Sequence, residues 1–185
     1  VFDGEKGNYT ETDLPSPVSF YGYTKLKAEE ATKKILPNSS LIARTSVLYG
    51  ATPAAGKINF ALWIYNKLKN KEPLKIFTDQ YNSPTLNTSL AQMTLEAAER
   101  KLTGTCHLCG ATRISRYDFA ILFAQTFNLD QTLISPTLSK DLKFAAKRPK
   151  DSSLNTTKAQ QILNFKPLTI QQAFNTLKEE EITNF

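Results

Sequence analysis

The stretch FYGYTKLKAEE, residues 20 to 30, holds two overlapping pairs in which a tyrosine precedes a lysine by four positions: Tyr21 with Lys25, and Tyr23 with Lys27. In a helix, residues four apart share a face. A phenol titrates near 10, too high for ready proton exchange at neutral pH, and an ammonium one turn away stabilises the phenolate and lowers that value. Such a tyrosine can act as a general acid or base. Helix geometry separates the two pairs. Tyr23 and Lys27 continue into Glu30 and Lys34, a wholly polar line that belongs to solvent. Tyr21 and Lys25 border the side carrying Ala28, Ala31 and Ile35, a stripe expected to pack on a sheet, so this pair is expected at the edge of a cleft. The spacing by itself is a weak signal, because Lys-rich helices produce it by chance.

The second arrangement with chemical potential is GTCHLCG, which places both cysteines and the only histidine within four positions. Bounded by Gly104 and Gly110, it reads as a short strand in which Cys106 and Leu108 face one way and His107 and Cys109 the other. Thiolates on opposite faces cannot chelate one ion, and a structural zinc needs about four ligands. The stretch is expected to be structural, with no metal.

Alternating elements must position these residues. A helix is predicted from Phe20 to about Leu36, ending at Pro37, followed by SLIARTSVLYG as one mostly apolar strand buried on both faces. A helix over Ile58–Asn70 and the short strand PLKIF come next. Thr88–Arg100 is a helix with Leu90, Met93, Leu95, Ala97 and Ala98 supplying apolar surface. After the CHLC strand, Ser115 caps a helix to about Phe127. TLISPTL is extended, and helices near Lys140–Ala146, Thr157–Leu163 and Thr169–Glu179 complete the chain. The alternation predicts an α/β fold with a mostly parallel sheet.

A chain of 185 residues, 41% hydrophobic, can bury one sizeable core. The net charge of +6 is spread along the chain, with a mild cluster at Lys140, Lys143, Lys147, Arg148 and Lys150, so solvated surface rather than a nucleic-acid groove is expected. No apolar run approaches the roughly 18 residues of a membrane span. The expected location is the cytoplasm.

Taken in order, VFDGEKGNYTETDLPSPVSFYGYTKLKAEE, IARTSVLYG, IFTDQYNSPTLNTSLA, GTCHLCG and AKRPKDSSLNTTKAQQIL resemble the extended short-chain dehydrogenase/reductases over nearly the whole chain. The likeness is greatest to the dTDP-4-dehydrorhamnose reductase branch. It implies the C-terminal part of an NAD(P)-binding Rossmann-like fold, with residues 1–50 ending the Rossmann part and carrying the catalytic helix, and residues 51–185 forming mostly a smaller α/β substrate-binding portion.

The same resemblance implies roles. Tyr21 looks like the catalytic acid, and Lys25 like the residue that holds the nicotinamide ribose; with Thr45 and Ser46 they would line the cofactor, NADPH or NADH. Val47 stands where bacterial reductases of this branch carry a tryptophan against the substrate. Gln80, Asn82, Ser83, Pro84 and Thr85 resemble the loop lining a nucleotide-sugar pocket, and Arg148 a basic residue near it. The implied reaction is reduction of a 4-keto sugar nucleotide, dTDP-4-dehydrorhamnose to dTDP-L-rhamnose, and a homodimer is compatible with the family. Two alternatives share the fold: a non-catalytic nucleotide-binding subunit similar to the regulatory subunit of methionine adenosyltransferase, and a nucleotide-sugar epimerase or dehydratase. The seven glycines form no G-x-x-G-x-x-G or G-x-G-x-x-G loop. The expectation is therefore the C-terminal portion of a longer polypeptide, whose first strands carry the dinucleotide's pyrophosphate.

Overall fold

The computed structural model describes residues 1–54, 56–142 and 146–180. In chain order its elements are α1 (Phe20–Ile35), β1 (Leu41–Arg44), β2 (Leu48–Tyr49), α2 (Phe60–Lys69), β3 (Leu74–Phe77), β4 (Tyr81–Asn82), β5 (Thr85–Leu86), α3 (Asn87–Glu99), β6 (Gly104–His107), β7 (Ile114–Ser115), α4 (Arg116–Thr126), β8 (Ile134–Thr137), α5 (Thr157–Ile162) and α6 (Ile170–Glu179). The strands pair two by two: β1 with β6, β2 with β5 and β3 with β8 in parallel, and β4 with β7 antiparallel. Parallel pairs with helices between them are the α/β architecture expected from the sequence.

Local chemistry explains most boundaries. The side chains of Ser19, Asn59, Ser115 and Thr169 accept the N–H groups of Gly22, Leu62, Asp118 and Gln172, satisfying donors that a helix N-terminus leaves unpaired. In α6, Ile170, Ala173, Phe174 and Leu177 are buried at helical spacing against α4, where Phe119 and Phe123 meet Phe174 edge-on at 5.0 and 5.4 Å. These rings centre the largest core, shared by α2, α4, α6 and β3. A second core joins Met93 and Ala97 of α3 to Cys106, Leu108, Ala159 and Leu163, and a third gathers Phe2, Tyr9, Cys109 and Leu154. The two cysteines thus enter different cores, on opposite sides of the strand, and burial pushes the Cys109 thiol up to about 12.

Three expectations need correction. The stretch from Ser40 to Gly50 is not one strand. β1 runs beside β6 until Arg44, whose carbonyl accepts the Leu108 N–H, and the chain then bends so that the Val47 carbonyl accepts from Thr85 at 3.0 Å and β2 pairs with β5. Ala43 is exposed, and among the described residues β1 is paired only on the β6 side, the open edge that a C-terminal portion is expected to leave. Within these residues the stripe of Ala28, Ala31 and Ile35 is exposed, Ile35 to 73%, as a C-terminal portion would leave it, while Gly22 and Glu29 of α1 are buried. In α3, Leu95 and Ala98 point outward while Glu96 is buried, its carboxylate accepting the N–H groups of Asn164 and Phe165 and the Arg100 guanidinium. The helix expected over Lys140–Ala146 is, among the described residues, a single 3₁₀ turn at Ser139–Asp141 with Leu142 extended after it. The Asp79 carboxylate takes both the N–H and hydroxyl of Ser139 and holds that turn on the loop after β3; residues 143 to 145 lie outside the described residues.

The segment Lys150–Asn155 joins distant parts of the chain. Tyr81 donates to the Lys150 carbonyl and accepts from Ser152, while Tyr9 donates to Ser153 and accepts from Asn155. Asp151 donates its N–H to the Gly4 carbonyl, and its side chain receives Arg113 at 2.6 Å. No helix among the described residues is long and apolar enough to cross a membrane.

Candidate functional site

α1 and the bend after β1 form two walls of a cleft of about 560 Å³, and the N-terminal loop and the 149–154 segment close it. Tyr21, Gly22, Lys25 and Glu29 come from α1; Arg44, Thr45, Ser46 and Val47 come from the strand end and bend. A parallel strand releases its chain at its C-terminal end, so side chains at such a bend are free to face a ligand rather than a neighbouring strand. Five of the sequence-selected residues, Tyr21, Lys25, Thr45, Ser46 and Val47, therefore line one cavity.

Within it, Lys25 Nζ stands 5.3 Å from the centre of the Tyr21 ring. Tyr21 is 71% exposed, so its hydroxyl is open to a ligand entering the cleft. No carboxylate pairs with Lys25 among the described residues, whereas Lys27 is held by Glu30 at 2.6 Å and Tyr23 lies against Phe20. The Glu30 carboxylate also raises the Lys27 ammonium above its ordinary value. An ammonium with no acid of its own can hold ligand hydroxyls, and a ribose diol beside Tyr21 fits that donor set.

Val47 also borders a small second cavity, shared with Tyr49, Phe60, Asn82, Pro84, Arg116 and Phe119. Arg116 continues into a third hollow with Phe60, Trp63, Lys75, Phe77 and Arg148, and Arg148 in turn lines a basic depression of about 430 Å³ with Gln80, Lys140, Lys147 and Lys150. Shared residues join these concavities to the Tyr21 cleft, Val47 to the small cavity and Pro149 to the basic depression, which is the most basic of them. Gln80 is buried and its carbonyl groups, side chain and main chain, accept from Arg116. Burial pushes the Arg116 guanidinium below its ordinary value, and the neighbouring Arg148 adds to that effect, so an anion between them would relieve both.

The 80–85 loop divides by environment. Asn82 and Pro84 face the small cavity and Gln80 the basic depression. Ser83 and Thr85 are buried hydrogen-bonders: Ser83 Oγ exchanges bonds with the Leu154 backbone, and Thr85 Oγ1 donates to the Ser83 carbonyl and accepts from Gly110. Sequence reasoning missed Arg116. Its one local signal is its place directly after the cap Ser115, which puts it in the first turn of α4 at the end of β7.

The chain matches the family model of the RmlD substrate binding domain over residues 1–182. It is 32% identical to a dTDP-4-dehydrorhamnose reductase of Aggregatibacter actinomycetemcomitans, over 96% of this chain and 63% of that protein. It is 31% identical to a probable low-salt glycan biosynthesis reductase, Agl14, of Haloferax volcanii, over 96% of this chain and 60% of that one. It is also 31% identical to methionine adenosyltransferase 2 subunit beta of Rattus norvegicus, over 85% of this chain and 48% of that one. The crystal structure of a dTDP-4-dehydrorhamnose reductase from Bacillus anthracis in complex with NADP superposes with a TM-score of 0.87 at 26% identity, covering 97% of this chain and 62% of that one. The chain thus spans 48–63% of the length of these relatives, and over that span it belongs to the RmlD substrate-binding-domain family and has the extended short-chain dehydrogenase/reductase fold.

Proposed function

We propose that the protein to which this chain belongs reduces a 4-keto sugar nucleotide with NADPH or NADH, with dTDP-4-dehydrorhamnose as the favoured substrate and dTDP-L-rhamnose as product. The observation that carries this reading is the cleft of Tyr21 and Lys25, joined through Val47 and Pro149 to adjacent concavities lined by Arg116 and Arg148. It suits a molecule with a reducible carbonyl at one end and a diphosphate further along. Guanidinium forks match phosphate oxygens, and Lys140, Lys147 and Lys150 add positive charge beside them.

The bound nicotinamide would supply the hydride. Tyr21 would give its hydroxyl proton to the carbonyl oxygen as the carbon is reduced, leaving an alcohol on the sugar and a phenolate on the enzyme. Lys25 would stabilise that phenolate and hold the ribose. Thr45 and Ser46 would line the nicotinamide side, and Val47, Asn82 and Pro84 the sugar side. Ser83 and Thr85 fit a supporting role, holding the loop. These 185 residues hold no glycine-rich loop of the kind that cradles a dinucleotide's pyrophosphate, so the chain alone should show no tight NADPH binding in a fluorescence titration.

The test is reduction of purified 4-keto sugar nucleotides by the protein containing this chain, followed by loss of nicotinamide absorbance. Turnover with a thymidine-linked 4-keto sugar supports the proposal. Stoichiometric nucleotide binding without turnover of any keto sugar would instead support the second reading, a non-catalytic subunit, which similarity to the methionine adenosyltransferase subunit keeps open.

A further inference from the structure

α1 carries the residues on which the proposed chemistry depends, and within these residues its buried contacts are polar rather than apolar. None of its residues is among the buried members of the three apolar clusters, and Phe20, Tyr21, Tyr23 and Ile35 are all exposed. Of its sixteen residues two are buried, Gly22 and Glu29. Gly22 lies against Pro17, where an added Cβ would come within 2.9 Å of the proline ring. Glu29 meets Arg44 through two parallel bonds, Nε to Oε1 at 2.8 Å and Nη2 to Oε2 at 2.7 Å. Both side chains are about nine-tenths buried, and the Phe2 ring lies 5.1 Å from the guanidinium carbon.

A two-bond fork between a planar guanidinium and a carboxylate fixes direction as well as distance. Glu29 is one turn beyond Lys25 and two beyond Tyr21, so its azimuth sets theirs. Turning the helix by about 20° would move an atom ~6 Å from the axis by ~2 Å. Arg44 immediately precedes Thr45, Ser46 and Val47, so the same fork ties both walls of the cleft together.

Building on the reductase reading, we infer that the Glu29–Arg44 pair is the positioning device of the site: it sets the rotation of α1 and thereby aims Tyr21 and Lys25 at a substrate held by the opposite wall. Neither residue exchanges a proton in the reaction. The pair acts on the rate through the placement of Tyr21.

The experiment compares Glu29→Gln, Arg44→Lys and the double variant Glu29→Met/Arg44→Leu in the full-length protein. Replacing both members of a buried ion pair by apolar groups commonly preserves the fold, while removing one does not. The expected result is a kcat lowered about 10–100-fold in each folded variant, the size of effect that a misplacement near 1 Å produces. KM for the sugar nucleotide should stay within about 3-fold, because the residues assigned to the sugar nucleotide, Val47, Asn82, Pro84, Arg116 and Arg148, are unchanged. The melting temperature of the double variant should remain close to that of the unmutated protein. A double variant with unchanged kcat, or one whose KM rises while kcat holds, overturns the inference. So does loss of the fold in all three, which would make the pair a stability element only. If the unmutated protein reduces no keto sugar, the reductase reading fails and amide hydrogen exchange decides: faster exchange confined to α1 in the double variant sustains the positioning role, and unchanged exchange refutes it.

Discussion

Lys25 Nζ sits 5.3 Å from the centre of the Tyr21 ring, and Lys27 Nζ sits 5.4 Å from that of Tyr23. The two pairs are geometrically equivalent, so only their surroundings distinguish them: one lines the cleft and the other is tied to Glu30 and Phe20. Tyr21→Phe should therefore lower the rate of keto-sugar reduction by about 10²–10⁴-fold, the usual worth of general acid catalysis, while Tyr23→Phe changes it little. Steady-state rates of the two variants check this, and equal losses would contradict the assignment of Tyr21.

Val47 is half-buried between the main cleft and the small cavity with Asn82 and Pro84. Val47→Trp places a flat ring there, and an aromatic contact adds about 0.5–1.5 kcal/mol beyond the area it covers. The expected outcome is tighter binding of a thymidine-linked sugar, by roughly 2–10-fold in Kd by calorimetry. Weaker binding, with another nucleotide sugar preferred, would argue against the thymidine-linked substrate.

Gly110 has no room for a side chain: an added Cβ would lie 2.0 Å from the carbonyl oxygen of Pro84, a backbone atom that cannot swing aside. Gly110→Ala should destabilise the fold by about 1–3 kcal/mol, the cost of overpacking a close contact. Urea unfolding midpoints measure it. Because Pro84 also lines the small cavity, nucleotide-sugar affinity should fall along with stability.

His107 is fully buried, with Nδ1 3.1 Å from the Asn155 carbonyl and Nε2 without a partner. Burial pushes its protonation below the ordinary value, with Glu11 opposing and Arg44 adding to the shift. The folded state therefore binds fewer protons here than the unfolded chain, so this contribution to stability is present above the unfolded value and is lost as the pH falls below about 6.5. The melting temperature should decline between about pH 7 and 5, and His107→Gln should remove that part of the decline. An identical slope in both proteins would exclude His107 as its source.

What could be read from the sequence was what local chemistry writes into it. Ser115 and Thr169 announce their helices because a hydroxyl caps the N–H groups that follow it, and the alternation around Cys106 and Cys109 sends each thiol to its own core. The break between Arg44 and Leu48 was hidden because a continuous apolar run looks the same whether the strand keeps its neighbour or trades β6 for β5. The inward face of α1 was hidden for a different reason. The residue buried there is a glutamate whose partner is fifteen positions away, and nothing near Glu29 in the sequence marks it. Arg116 likewise carries no local mark of burial, since its surroundings come from α2, the 80–84 loop and the segment at Arg148.

The bonds of Lys150–Asn155 to Gly4, Tyr9 and Tyr81 also set a timetable for the protein's manufacture. The helix bearing Tyr21 and the strand ending at Arg44 emerge from the ribosome before Pro149, Ser152 and Leu154, which close their cleft and follow more than a hundred residues later. Loop closure over such a separation is slow, and surfaces awaiting it stay exposed meanwhile. Translation arrested before this segment would release a polypeptide that carries Tyr21, Lys25 and Arg116 yet lacks the seam that joins Gly4, Tyr9 and Tyr81.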